Sequence, residues 1–130
     1  MIALLVAALA SIAPATAYTA ASVARCESSA RFDDGAAVLA TALTRARVLR
    51  RPLLSVLRQP WQFATGCPAW PRSWSWRHAA MGMQATVGGL TAPVWARAAW
   101  FYCGRESAER CHNRRGPLVG RVVHSFYGRR

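Results

Sequence analysis

The stretch VARCESSARFDDGAAVLATALTRAR, Val23–Arg47, decides how this chain folds. It holds three of the chain's five acidic residues, Glu27, Asp33 and Asp34, while everything up to Ala24 is uncharged. Tyr18 to Ser28 has few helix breakers and much Ala, which predicts a helix ending near Ser29. Arg31 to Asp34 reads as a loop. Asp33 or Asp34 can then cap a second helix, because a carboxylate there accepts the free N–H groups of the first turn. That helix is expected from about Gly35 to Arg50, with Leu39, Ala42, Leu43, Ala46 and Leu49 as its apolar stripe and Arg45 and Arg47 beside it. Glu27 is the residue that helix formation does not explain. At a helix C-terminus the unpaired carbonyls disfavour an ionised carboxylate and help it hold a proton, which suits a general acid. The plainer reading is a solvated glutamate paired with Arg25 or Arg31.

Toward the N-terminus, Met1 to Ala13 is an apolar run of signal-peptide length. Pro14 breaks it, and Ala15-Thr16-Ala17 has the small-x-small form of a cleavage site. Residues 1–17 are therefore expected to be a signal peptide and 18–130 the functional domain, exported to the periplasm, the cell wall or the medium. An N-terminal anchor is the rival: the uncharged span is long enough to cross a bilayer, although Pro14, Thr16, Thr19 and Ser22 interrupt it.

The chain of 130 residues is one small domain by length, with 17 basic residues, all Arg, against 5 acidic ones and a net charge of +12. Such a charge favours a polyanionic partner: an anionic wall, a membrane surface or nucleic acid. Four cysteines, Cys26, Cys67, Cys103 and Cys111, point to two disulfides in an exported small protein. Three pairings are possible; a Cys103–Cys111 bridge would close a short loop and leave Cys26 with Cys67. A zinc site using these cysteines and His112 lacks any C-x-x-C spacing.

Downstream, Pro52 is expected to end the second helix, and Leu53 to Leu57 reads as another helical turn. Gln59 to Ser73 carries three prolines and a glycine and reads as an aromatic-rich loop. A third helix is expected from Ser73 to Val87, with Gly88-Gly89 as its stop and Trp74, His78, Met81 and Ala85 on its inner face. Two strand-like runs, Ala98 to Cys103 and Leu118 to Tyr127, are expected to pair as a hairpin. The fold class is mainly α with a small antiparallel β element, an α+β arrangement.

Few residues here could do chemistry. Two-carboxylate glycosidases need a second acid near the first, and only Asp33 and Asp34 lie close in sequence; capping accounts for at least one of them. Glu106 and Glu109 sit among arginines in a polar loop. His78 falls on an apolar stripe, His112 in a basic loop, and His124 in a strand-like run beside Phe126 and Tyr127, where it could face a groove. No Ser/His/Asp order, phosphate-cradling glycine loop or H-E-x-x-H is present, so no cofactor and no metal is called for. Trp61 and Trp70, in the irregular loop, are candidates to stack on sugar rings or on bases.

These residues resemble the bacterial cell-wall hydrolase family that includes the spore-cortex-lytic enzymes. The resemblance rests on Glu27 at a helix end, Gly35 eight residues later opening the helix AAVLATALTRAR, and Gln59-Pro60-Trp61-Gln62-Phe63. It continues with a helix before Gly88, then Trp100-Phe101-Tyr102, then His124-Ser125-Phe126-Tyr127. The order and spacing hold from about Ala21 to Tyr127. The family's E-A-R-G-E is here Glu27-Ser28-Ser29-Ala30-Arg31, without the second acid, and Thr44-Arg45 stands where Asn-Arg is usual. The resemblance implies a lysozyme-like fold and cleavage of peptidoglycan glycan strands. Glu27 would be the catalytic acid, protonating the bridging oxygen after N-acetylmuramic acid. In a lytic transglycosylase it would then act as base on the muramoyl 6-hydroxyl, giving a 1,6-anhydro product. Gln62, Phe63, His124 and Tyr127 would line the cleft.

The expected partner is thus peptidoglycan, with an anionic wall or outer-membrane surface as a secondary contact and no nucleic acid. The competing expectation is a non-enzymatic, cationic secreted protein that binds nucleic acid or membranes through arginine and tryptophan. The oligomeric state is left open by the sequence.

Overall fold

Little between Pro14 and Leu49 opposes a helix, and the computed structural model, which describes residues 13–28, 31–59, 63, 67, 76–103 and 116–129, forms two there. Helix α1 spans Pro14–Ser28 and α2 spans Phe32–Leu49. Pro14, expected as a break, stands at the first helical position, where a missing N–H costs nothing. The helix runs on through Ala15-Thr16-Ala17, and Ala17 is buried. Residues 1–12, which carry most of the predicted signal peptide, lie outside the described residues.

Helix α2 begins at Phe32, three residues before the predicted start. Its N-cap is Arg31, with no side-chain cap; Asp33 accepts the first-turn N–H of Asp34 at 3.0 Å, as expected of one of the two aspartates, but from inside the helix and not from the cap position. Asp33 lies outside and Asp34 turns inward. The helix is also more enclosed than a single stripe: Asp34 to Ala42 are all buried, as is Arg45, whereas Leu49 is exposed. The reason is its central position, with α1, the later helix Trp76–Leu90, the short helices and a strand packed around it. It closes with Arg50 in the left-handed region (φ 52°) and the Arg51 N–H returning to the Ala46 carbonyl at 3.0 Å, a Schellman closure. After Pro52 comes α3, Leu53–Leu57.

Helix α4, Trp76–Leu90, passes straight through Gly88 and Gly89, which were expected to stop it. Those glycines serve close approach. A methyl at Gly88 would press on Phe32 and Ala36 of α2, and one at Gly89 on Leu39, Ala40 and Leu43. At Gly82 it would run into the backbone carbonyl of Ala17 in α1. The buried side is set by Ala79, Gly82, Ala85 and Thr86; Met81, expected inside, is exposed. His78 is half-buried and meets Tyr18 edge-on at 6.3 Å.

After the short α5 (Val94–Arg97), strands β1 (Ala99–Cys103), β2 (Leu118–Arg121) and β3 (Ser125–Gly128) form an antiparallel sheet in the order β1-β3-β2. The run Leu118 to Tyr127 is therefore not one strand paired to β1. It bends at Val122–His124 and folds on itself, with the Val122 N–H on the His124 carbonyl at 3.0 Å. Tyr102 sits opposite Phe126, and Trp95 of α5 packs on Phe126 at 5.5 Å. One core joins Val23, Val38, Leu39, Val56, Leu57 and Phe126, each fully buried. Burial of each stabilises by roughly 1.5–3 kcal/mol. The protein is thus mainly helical with a small antiparallel sheet. Among the described residues no helix is long and apolar enough to cross a membrane.

Candidate functional site

Helix α1 ends where α2 and the bend before β3 converge, and the last two residues of α1 face that junction. Glu27 is largely buried, with its side chain 16% exposed. The Tyr102 hydroxyl of β1 hydrogen-bonds its carboxyl group. His124 Nε2 lies 3.8 Å from Glu27 Oε2, within ion-pair range and longer than a direct hydrogen bond. Arg31, one of the two arginines expected beside Glu27, binds Asp33 at 2.9 Å on the exposed surface.

Asp34 organises the junction. Its side chain is fully buried, and each oxygen accepts two hydrogen bonds. Oδ1 takes the backbone N–H groups of Val123 (3.0 Å) and His124 (2.9 Å). Oδ2 takes the Ser28 hydroxyl (2.6 Å) and faces His124 Nδ1 (2.6 Å). That fills the roughly four acceptor positions a carboxylate offers. Burial alone would push the Asp34 carboxyl up, but the hydrogen bonds from the His124 ring, the His124 backbone and Ser28, with the imidazolium charge, outweigh it. The group is held below the ordinary carboxylate value. Its place in the first turn of α2 works in the same direction.

His124 responds in the opposite sense. The hydrogen bond to Asp34 raises its proton affinity, burial opposes that, and the charges of Asp34 and Glu27 add to it. The net shift is above the ordinary 6.5. The ring also meets Tyr102 edge-on at 5.2 Å. Tyr102 is driven well above the ordinary phenol value, first by burial and then by the neighbouring Glu27 charge and hydrogen bond, so it stays a hydroxyl donor. Phe63 packs beside Tyr102 at 5.8 Å, and the buried Arg45 places its guanidinium 5.6 Å from the Phe63 ring centre while its Nε–H donates to the Trp100 carbonyl at 2.7 Å.

The structure therefore gathers Glu27 and His124, and Phe63 through Tyr102. Gln62, Trp61 and Trp70 lie outside the described residues. Tyr127 is 1% exposed, and strand alternation puts it on the sheet face opposite Phe126. A disulfide joins Cys26, beside Glu27, to Cys67, and Cys103 is disulfide-bonded too, which removes those three thiolates from any zinc site. Among the described residues no group of three His, Cys, Asp or Glu side chains could hold a metal ion. Two cavities have linings that do not include Glu27, one beside Phe32 and Met81 and one beside Leu43 and Leu90.

Sequence reasoning missed Asp34, Tyr102, Ser28 and Arg45. Asp34 left a trace: capping needs one acid, and the chain spends two adjacent ones where acids are scarce. Tyr102 and Arg45 stood in the motifs that carry the resemblance, but without a role, since an aromatic in a strand and an arginine on a helix are ordinary.

The Tyr102 hydroxyl and, when His124 is protonated, its Nε2–H both present donors toward the Glu27 carboxyl. Comparison with protein-family models, characterised proteins and solved structures finds no match.

Proposed function

We propose that this protein is an exported enzyme of the lysozyme-like cell-wall hydrolase type that cuts peptidoglycan glycan strands at the MurNAc–GlcNAc β-1,4 bond, acting as a lytic transglycosylase. The observation that carries the reading is Glu27 at the end of α1, largely buried, between the Tyr102 hydroxyl and the His124 ring. Glu27 gives its proton to the bridging oxygen as the C1–O4 bond breaks. The muramoyl 6-hydroxyl then bonds to C1, and its proton returns to Glu27, so the enzyme ends as it began. The chemistry asks for one carboxylate. That agrees with the state of the other two near it: Asp34 has its acceptor positions filled, and Asp33 is an exposed partner of Arg31. The ordered resemblance from Ala21 to Tyr127 and the net charge of +12 support the same reading.

The test is digestion of purified peptidoglycan sacculi by the purified protein, with the released muropeptides weighed. Anhydro ends, lighter by one water than hydrolytic ends, are expected. Glu27→Gln is expected to lower the rate by about 10³-fold or more, because it removes the transferable proton. No fragments, or equal release by Glu27→Gln, refutes the reading. A second reading is favoured by the exposed Arg47, Arg50, Arg51 and Arg58 beyond the middle of α2: a cationic binder of nucleic acid or membranes. Salt-sensitive DNA binding indifferent to Glu27→Gln would support it.

A further inference from the structure

We infer that Asp34 is a positioning residue that holds His124 with its Nδ1–H turned into α2, so that Nε2 faces Glu27 and can take up and return that carboxyl's proton. The inference rests on the reading of Glu27 as an acid and base, and it adds a second group to the proton path.

The geometry carries it. Asp34 Oδ2 is 2.6 Å from His124 Nδ1, and a buried carboxylate can only accept there, so the proton on that side belongs to the ring. A neutral His124 then has its lone pair on Nε2, the atom 3.8 Å from Glu27 Oε2. A protonated His124 offers an Nε2–H to the same oxygen. In both states the ring orientation is unchanged and only one proton moves. The gap closes to hydrogen-bond length by a small side-chain adjustment, as sites without substrate often require. The groups facing the ring among the described residues are Glu27 from α1, Asp34 from α2 and Tyr102 from β1, with Phe126 of the following strand β3 beside it. Both acids have further partners: Ser28 and two backbone N–H groups bond Asp34, and the Tyr102 hydroxyl bonds Glu27.

A purely structural aspartate would act through the backbone of the 123–124 bend alone. Asp34→Asn separates the two roles. The amide oxygen still accepts the Val123 and His124 N–H groups, while the amide NH₂ now points at Nδ1 and can only donate. That forces the other tautomer, with the proton on Nε2. The wild-type protein should show, in ¹⁵N-resolved imidazole spectra, a neutral His124 with Nδ1–H, titrating above 6.5. Asp34→Asn should convert it to Nε2–H, move its titration to lower pH, lower sacculus digestion by about 100-fold and shift the alkaline limb of the rate profile toward acid. A wild-type His124 with Nε2–H overturns the inference without any variant. So does a folded Asp34→Asn protein with an unchanged tautomer and unchanged alkaline limb. If sacculi are never cut, the reading of Glu27 fails by itself, and the spectra alone decide whether Asp34 sets the His124 tautomer.

Discussion

The contact between α1 and α4 and the seam between α2 and the bend before β3 are both close, and they are close by opposite means. In the first, small residues dominate beside one Tyr18–His78 ring contact: Gly82 lets α4 settle onto the Ala17 carbonyl, and Ala20, Ala21, Ala79 and Ala85 are buried on the two helices. In the second, a buried carboxylate with four hydrogen bonds ties two backbone segments together. The first depends on shape, and any added atom is felt. The second depends on charge and hydrogen bonding, and it answers to pH. A helical layer fixed by shape leaves the end of α1 rigid, and a polar seam can then place chemistry on it.

Gly82→Ala should break the comparison most strongly on the helical side. In the chain that keeps residues 14–17 its Cβ meets the Ala17 backbone, which cannot rotate away, so stability should fall by roughly 3 kcal/mol despite the better helix propensity of Ala; cleavage after Ala17 would remove that contact. Urea unfolding measures this; a loss below about 1 kcal/mol would mean that the helices can part at little cost.

On the polar side the test is pH. The Asp34 carboxyl is held below its ordinary 3.8, so its contribution is complete above that value and is lost as pH falls through the lower, folded one. His124 is raised above 6.5, so its contribution is complete below 6.5 and is lost as pH rises through the folded value. Both are present together between 3.8 and 6.5, where melting temperature should be highest. Asp34→Asn should flatten both arms of that profile, and Gly82→Ala should lower the whole curve without reshaping it.

The smallest effect sharpens the contrast inside one turn. Asp33 is an exposed partner of Arg31, screened by water, while its neighbour Asp34 is fully buried. Asp33→Asn should shift the melting temperature by less than about 2 °C. A shift as large as that of Asp34→Asn would erase the distinction drawn between the two.

How much of this could be read beforehand follows from how far each interaction reaches along the chain. The end of α1 near Glu27, the existence of α2 and α3, the α+β class and a Cys26–Cys67 bridge among the possible pairings were legible, because composition, breakers and cysteine count act locally. Gly88-Gly89 was misread as a stop because a glycine pair has the same look whether it ends a helix or lets one pack closely. The strand-like run 118–127 hid its bend because Val122, Val123 and His124 fit a strand as well as a turn.

By itself, the sequence determined that helices form on both sides of Glu27 and that this glutamate stands at the end of the first. Only the tertiary structure decided which of two adjacent aspartates turns inward, that His124, ninety residues further on, meets it, and that Tyr102 closes on Glu27. The physical reason is that helix formation is set by neighbours a few residues apart. The partner of a buried carboxylate is set by whichever chain segment folding brings to it, and no local pattern encodes that meeting.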